Sequence, residues 1–189
     1  MKKIGILGGT FDPPHLGHLL IAEEVNHKLN LDQVWFIPSY EPPHKEKSNT
    51  KIEQRIAMIE TAIKDNHNFS LSTIEVDRLG KSYTFDTIKL LKEKFPETMF
   101  YFIIGADMVE YLPKWYKIDQ LTQLVQFVGV KRPEYKLNTN YPVIEVDIPV
   151  MEISSTMIRE RIANNQSVRY LVPSNVLELI KEYHLYDGS

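Results

Sequence analysis

Two histidines close to a pair of glycines are the residues of this sequence best suited to phosphate chemistry. Gly8 and Gly9 lack side chains, so a ligand can approach their backbone closely. His15 and His18 are three residues apart, so both imidazoles lie on one face of the first turn if the helix has begun by His15. The N-terminus of a helix also presents free N–H groups and the positive end of a dipole. This combination favours the binding of a phosphate chain during group transfer.

Each of these features also has a simpler interpretation. A Gly-Gly pair after a strand can be only a tight turn, and a single histidine is often a surface or capping residue. Here they occur in order within residues 8–18, together with Asp12, Pro13 and Pro14, which suit the start of a helix. The order favours the functional interpretation of the whole stretch.

A strand before this stretch and a helix after it would hold it in place. Ile4 to Leu7 is apolar, as in a buried parallel strand, and the residues that follow His15 show helical spacing. The rest of the chain repeats this alternation. We predict strands at about residues 2–7, 33–37, 70–76, 99–104, 127–130 and 143–148. We predict helices at about residues 16–29, 51–65, 84–94, 154–163 and 174–183, with short ones after residue 107 and near 121–125. Thr84 is expected to be the N-cap of the helix that runs to about Lys94.

Alternating strands and helices predict a mostly parallel sheet with right-handed crossovers. We therefore expect an α/β fold, a doubly wound Rossmann-like sheet with C-terminal helices, in one domain over residues 1–189. Ligands of such sheets bind at the carboxyl ends of the strands, where the strand order reverses. The active site is expected there.

Further candidate ligand-binding residues follow two other predicted strands. The Pro-broken segment 39–47 carries His44 and Lys45, and it is either a solvated connection or a flap that brings both to phosphates. Gly105 and Asp107 follow the fourth strand. The carboxylate of Asp107 either binds a ribose hydroxyl or caps the short helix after it.

Trp115 and Tyr116 place two aromatic rings in a connection between elements. They are either core residues of a small subdomain or a stacking platform for a heteroaromatic ring. The sequence leaves both interpretations open.

Three hydroxyl residues, Ser154, Ser155 and Thr156, open the predicted helix 154–163, and Arg159 lies one turn inside it. The hydroxyls either cap the helix or bind anionic oxygens. The planar guanidinium of Arg159 suits a phosphate.

The composition narrows the functional classes. A net charge of -3 gives no global basic field for nucleic acid. No cysteine is present, which excludes a thiol nucleophile and a Cys-based zinc site. No signal-peptide pattern and no apolar run of membrane-spanning length occur, so we expect a cytoplasmic protein with no membrane partner.

Residues 8–18 resemble the (H/T)-x-G-H signature of the nucleotidyltransferase superfamily, and the longer string G-G-T-F-D-P-P-H-x-G-H resembles the bacterial nicotinate-nucleotide adenylyltransferases. Further similar strings follow in family order to near the C-terminus. They are Pro42–Lys45, Ser82–Thr87, Ile104–Asp107, Lys114–Tyr116 and Ile153–Arg159.

The resemblance implies adenylyl transfer from ATP to nicotinate mononucleotide, giving deamido-NAD and pyrophosphate. The acceptor carries its own phosphate oxygen, so direct attack needs neither a strong general base nor a covalent intermediate on the enzyme. Mg²⁺ is expected with ATP, held chiefly by phosphate oxygens and water rather than by the protein.

We expect His15, His18 and Arg159 to be catalytic. The expected ATP-binding residues are Gly8, Gly9, Thr10, Phe11, Lys45, Gly105, Asp107, Arg132, Ser154, Ser155 and Thr156. The expected mononucleotide-binding residues are Ser39, His44, Thr84, Trp115 and Tyr116.

Three alternatives remain. Phosphopantetheine adenylyltransferase is one, although the chain is rather long for it. A dinucleotide-dependent oxidoreductase is less favoured, because the turn is not G-x-G-x-x-G and the second strand ends in Pro38-Ser39 without a ribose-binding acid. A non-catalytic nucleotide sensor is the third. The choice between acid and amide mononucleotides and the formation of a homo-oligomer stay open.

Overall fold

The computed structural model describes residues 1–42, 48–131, 136–149 and 151–188. The strands in these ranges are β1 (Lys2–Gly9), β2 (Gln33–Pro38), β3 (Phe69–Leu71), β4 (Thr98–Gly105), β5 (Gln126–Lys131) and β6 (Val143–Asp147). The α-helices are α1 (Leu16–Leu29), α2 (Ile52–Ile63), α3 (Ile74–Arg78), α4 (Thr84–Lys94), α5 (Ala106–Tyr111), α6 (Ile118–Leu124), α7 (Ser155–Ala163) and α8 (Ser174–Glu182). A 3-10 turn, Leu112–Lys114, follows α5.

All six strands form one parallel sheet in the order β3-β2-β1-β4-β5-β6. The chain runs outward from β1 to β3, returns to β4 beside β1, and then runs outward to β6. The order reverses between β1 and β4, and the carboxyl ends of such neighbouring strands are where doubly wound sheets bind ligands. The doubly wound Rossmann-like prediction is confirmed.

Two layers of helices cover the sheet because side chains alternate along each strand. On β1, Ile4 and Ile6 face the cluster that α3, α4, α5 and α6 complete. Leu7 faces the opposite cluster, beneath α1 and α2. Both faces are therefore apolar, and the edge formed by the strand ends is left for polar chemistry.

The C-terminal helices pack against α2 rather than extending the sheet. Met58 of α2, Ile158 of α7 and Val176 of α8 belong to one buried cluster. This packing brings the start of α7 next to the turn between β1 and α1. Within the described ranges, no helix combines the length and apolar character needed to cross a membrane.

Two local predictions were wrong. The strand predicted at 70–76 ends at Leu71, and the chain becomes helical again at Ile74. The reason is the return of the chain to the other face of the sheet, where Ile74 is buried with the α4 residues. Thr84 is the first residue of α4 and not its cap, a position that Tyr83 occupies. The other main elements lie within two residues of their predicted bounds.

Candidate active site

The turn between β1 and α1 is built on a buried aromatic ring. Phe11 adopts a φ of 51°, and its side chain is 1% exposed. The ring contacts His18 edge-on, with centroids 4.9 Å apart, and packs on Phe36 below it. Of the residues expected to bind ATP, Phe11 can therefore offer only its backbone, while its ring supports His18.

The two histidines are held in contact with each other. His15 is the N-cap residue of α1, and its backbone N–H donates to His18 Nδ1 at 3.2 Å. Because Nδ1 accepts this hydrogen bond, the neutral His18 ring carries its proton on Nε2. The donor nitrogen of the neutral His18 ring is therefore Nε2.

His15 is an uncharged partner at neutral pH. It is 6% exposed, and burial lowers its pKa from 6.5 to about 4. Its Nδ1 has no hydrogen-bond partner among the residues that the structure describes. The ring can therefore contribute hydrogen bonding to a ligand, but not a positive charge.

Glycines leave space around these rings. A Cβ atom at Gly17 would lie 3.0 Å from two atoms of the His15 imidazole. One at Gly9 would lie 3.2 Å from the Phe11 ring. Side chains at these positions would displace the rings, so the glycines preserve the geometry as well as access to the backbone.

A buried arginine joins the ends of β1 and β2. Arg55 of α2 is 3% exposed, and its Nη1 donates to the carbonyl oxygens of Thr10, at 2.8 Å, and Ser39, at 3.0 Å. Burial lowers the pKa of Arg55, and the charge of Asp12 opposes that shift. Ser39 Oγ is buried without a partner in the described part of the chain.

The start of α7 contacts the same turn. Arg159 Nη1 donates to the Asp12 carbonyl at 2.7 Å, and its Nη2 donates to Thr156 Oγ1 at 3.3 Å. Ser155 Oγ donates to the Pro13 carbonyl at 2.8 Å. Ser154 caps α7 by accepting the Met157 N–H. These hydroxyls are used within the protein, which leaves the first N–H groups of α7 for an anion.

On the β4 side of the switch point, Gly105 is the N-cap residue of α5. Asp107 is exposed in the first turn of that helix, and a Cβ at Gly105 would lie 2.7 Å from its Oδ1. The Asp107 carboxylate therefore lies next to the end of β4, while Gly105 occupies the N-cap position of α5.

The predicted aromatic platform divides into two parts. The half-buried Trp115 ring packs edge-to-face on Phe102 and Phe127, each at 5.8 Å, so part of it belongs to the core. Tyr116 is 45% exposed and contacts Tyr83, the residue before Thr84, with centroids 4.8 Å apart. Tyr116 and the start of α4 therefore share one side of the crevice.

Known proteins and one family model match this chain over most or all of its length. Residues 6–161 match the family model described as cytidylyltransferase-like. A probable nicotinate-nucleotide adenylyltransferase of Bacillus licheniformis is 54% identical over 188 residues, covering 99% of this chain and 100% of the relative. The nicotinate-nucleotide adenylyltransferase of Bacillus subtilis is 52% identical over 189 residues, covering 100% of both chains.

The chain belongs to the nicotinate-nucleotide adenylyltransferase family. Its fold matches the Plasmodium falciparum nicotinic acid mononucleotide adenylyltransferase complexed with NaAD, with a TM-score of 0.84, 21% identity and coverage of 100% and 99%. A putative family member from Vibrio parahaemolyticus matches with a TM-score of 0.75, 25% identity and coverage of 100% and 98%.

In this member of the nicotinate-nucleotide adenylyltransferase family, most predicted site residues lie around the ends of β1, β2 and β4. His44, Lys45 and Arg132 fall outside the described residues. Sequence reasoning missed Arg55, although a signal was present, because Arg55 shares a face of α2 with Ile52 and Ile59. It also missed the buried contacts of Asp12.

Proposed function

We propose that this protein transfers the adenylyl group of ATP to nicotinate mononucleotide, forming deamido-NAD and pyrophosphate. The observation that carries the proposal is the hydrogen bond from the His15 N–H to His18 Nδ1, which fixes the His18 ring at the glycine-rich turn with its proton on Nε2. Identity with the family members over the full chain supports the choice of substrates.

The proposed step is a direct displacement at phosphorus. An oxygen of the mononucleotide phosphate attacks the α-phosphorus of ATP, and the bond to the oxygen that bridges the α- and β-phosphates breaks. Pyrophosphate leaves with the electron pair. The attacking phosphate is already anionic near pH 7, so positioning and charge stabilisation are the main contributions required of the protein.

Each group at the turn then has a role. His18 Nε2–H donates to the charge that develops on the bridging oxygen, and neutral His15 holds the His18 ring. The backbone of Gly8 and Gly9 lies against the phosphates. Arg159 and the first N–H groups of α7 bind the departing pyrophosphate.

The mononucleotide is placed on the other side of the crevice. Its pyridine ring stacks on Trp115, whose indole is fixed by Phe102 and Phe127. Tyr116 and Thr84 close this side of the pocket, and the Ser39 hydroxyl offers a polar contact from β2. A ring held by the core loses little freedom when it binds a ligand, which favours affinity.

Mg²⁺ is proposed to enter with ATP. Both carboxylate oxygens of Asp12 accept protein hydrogen bonds, from Ser48 and Tyr186. Within the described ranges, no group of three or more His, Cys, Asp or Glu side chains is arranged to hold an ion. Phosphate oxygens and water are then its main ligands, and the bound ion would neutralise phosphate charge.

The test is an acceptor comparison with the purified protein. ATP is supplied with nicotinate mononucleotide, nicotinamide mononucleotide, phosphopantetheine or no acceptor, while pyrophosphate and dinucleotide are quantified. We expect the highest kcat/KM with nicotinate mononucleotide. Preferred use of phosphopantetheine, or ATP binding without any pyrophosphate release, would contradict the proposal.

A matched pair of variants tests whether His18 acts in the transfer step. His18→Ala should lower kcat by roughly 100- to 1000-fold, the typical cost of one preorganised donor to transition-state charge, with little change in ATP affinity. His27→Ala removes an exposed histidine from the last turn of the same helix and should leave kcat unchanged. Retention of more than half the kcat in His18→Ala would remove His18 from the mechanism.

A further inference from the structure

The carboxylate of Asp12 is buried beneath the turn that carries the histidines. Asp12 is 7% exposed and lies three residues before His15. A buried carboxylate needs hydrogen-bond donors. Ser48 Oγ donates to Oδ2 at 2.7 Å, and the Tyr186 hydroxyl donates to Oδ1 at 2.5 Å. Each oxygen thus has a donor from a distant part of the chain.

The same turn is held by two cations through its main chain. Arg159 donates to the Asp12 carbonyl, and Arg55 donates to the Thr10 carbonyl. The negative charge of Asp12 favours the charged form of Arg55. The Asp12 side chain therefore belongs to the segment that both guanidinium groups hold.

Tyr186 is fixed independently of Asp12. Its ring packs on the cluster that includes Ile158 of α7 and Val176 of α8. The Leu185 N–H donates to the Ile180 carbonyl at 2.9 Å, which ties the segment after α8 to that helix. Burial and the negative charge of Asp12 raise the pKa of Tyr186, so its hydroxyl remains a donor at neutral pH.

We propose that Tyr186 is a positioning residue for adenylyl transfer: its hydroxyl fixes the Asp12 carboxylate and thereby the turn that presents His15 and His18. The inference deepens the function proposed above and rests on it. Tyr186 does not touch the substrates in this role. It acts through Asp12 and determines where the hydrogen-bond donors of the histidine turn lie during the reaction.

The experiment compares Tyr186→Phe with Tyr183→Phe. The first variant removes the hydroxyl at Asp12 and keeps the packed ring, whereas the second removes a hydroxyl from the end of α8. Rates are measured below the melting temperature of each variant. We expect Tyr186→Phe to lower kcat by at least about tenfold, the loss that corresponds to one hydrogen bond to a charged group. The KM for ATP should stay within about threefold, because many groups share ATP binding.

A second readout does not depend on activity. The ¹⁵N NMR signals of the histidine side chains report whether His18 keeps Nδ1 as an acceptor and its proton on Nε2. Tyr186→Phe should shift the signals of His15 and His18, while Tyr183→Phe should leave them at their wild-type positions. A purely structural role would lower the melting temperature without moving them.

The outcomes separate the two proposals. If the wild-type protein makes no dinucleotide, the proposed function fails, and the NMR comparison alone decides the role of Tyr186. If it does, a kcat in Tyr186→Phe within twofold of wild type overturns the inference. Unchanged His15 and His18 signals in Tyr186→Phe overturn it whatever the rate.

Discussion

The imidazole rings of His15 and His18 stack on each other, with centroids 3.6 Å apart and planes inclined by 23°. Two protonated rings at this distance would repel each other strongly. Burial lowers the pKa of His15 to about 4, so one member of the pair is neutral throughout the physiological range. His15 therefore places no positive charge beside the His18 ring at neutral pH.

This arrangement predicts a pH dependence of stability. The pKa of His15 is 6.5 in the unfolded chain and about 4 in the folded protein. Between these values the unfolded state holds the extra proton, so the free energy of unfolding falls as the pH decreases from 6.5 to 4, in total by about 3 kcal/mol. His15→Gln lacks this titratable group. Between pH 7 and 5, its free energy of unfolding should therefore fall by about 2 kcal/mol less than that of the wild type.

The measurement is urea denaturation across this pH range. His67→Gln is the control, because His67 is exposed after α2. Parallel pH profiles for His15→Gln and wild type would show that folding does not lower the pKa of His15, which would contradict this prediction.

Arg55 should contribute strongly to the stability of the folded protein. Arg55→Met removes a buried cation that serves the Thr10 and Ser39 carbonyls, and it leaves Asp12 with less compensation. We expect a loss of about 3–5 kcal/mol in the free energy of unfolding, the range for breaking a buried charged contact. Arg161→Met, at an exposed residue of α7, should cost less than about 1 kcal/mol. Equal losses for the two variants in chemical denaturation would disprove the role of Arg55.

Arg159→Lys should weaken the binding of ATP although it keeps the positive charge. One arm of the guanidinium holds the Asp12 carbonyl and the other lies by Thr156, a geometry that an ammonium group cannot reproduce. We expect the KM for ATP to rise about tenfold, with a smaller effect on the mononucleotide. Arg169→Lys, at an exposed site, is the control. Steady-state kinetics with each substrate varied in turn would reveal an unchanged KM for ATP, the result that contradicts this role.

Trp115 should bind the mononucleotide and also contribute to the core. Base–aromatic stacking is worth roughly 1–3 kcal/mol, so Trp115→Ala should lower the affinity for the mononucleotide by about 5- to 150-fold while ATP affinity changes little. Trp115→Phe should recover much of the loss because it keeps a ring face. Titration calorimetry of both substrates checks this.

The control for Trp115 is Trp35→Ala. Trp35 packs on Phe95 and Phe100, away from the carboxyl ends of β1 and β4. This variant should lower the melting temperature without changing mononucleotide affinity. Equal losses of ATP and mononucleotide affinity in Trp115→Ala would assign Trp115 to the core alone.

The sequence predicted the parts of the fold and site that depend on neighbouring residues. Apolar runs defined the central strands, and the stretch from Gly8 to His18 contains both the turn and the start of α1. The boundary after Leu71 was missed because Ile74 is apolar in either a strand or a helix. Only its burial on the opposite face of the sheet distinguishes the two.

Contacts between distant segments were beyond the reach of the sequence. Arg55 lies in a helix whose spacing predicts only an apolar face, and its carbonyl partners come from the ends of two strands. Trp115 could not be assigned to the core or to the site because its packing depends on Phe102 and Phe127, which lie on β4 and β5. Tyr186 belongs to a short terminal segment with no motif.

The hydrogen bond between Asp12 and Tyr186 joins residues 174 positions apart. Translation proceeds from the N-terminus, so the turn with both histidines is made long before the tyrosine that would hold it. A product that terminates between residues 160 and 185 would contain Gly8, His15, His18 and Arg159, yet one oxygen of the buried carboxylate would lack its donor. The order of synthesis thus leaves the turn with both histidines without one of its hydrogen bonds until residue 186 has been added.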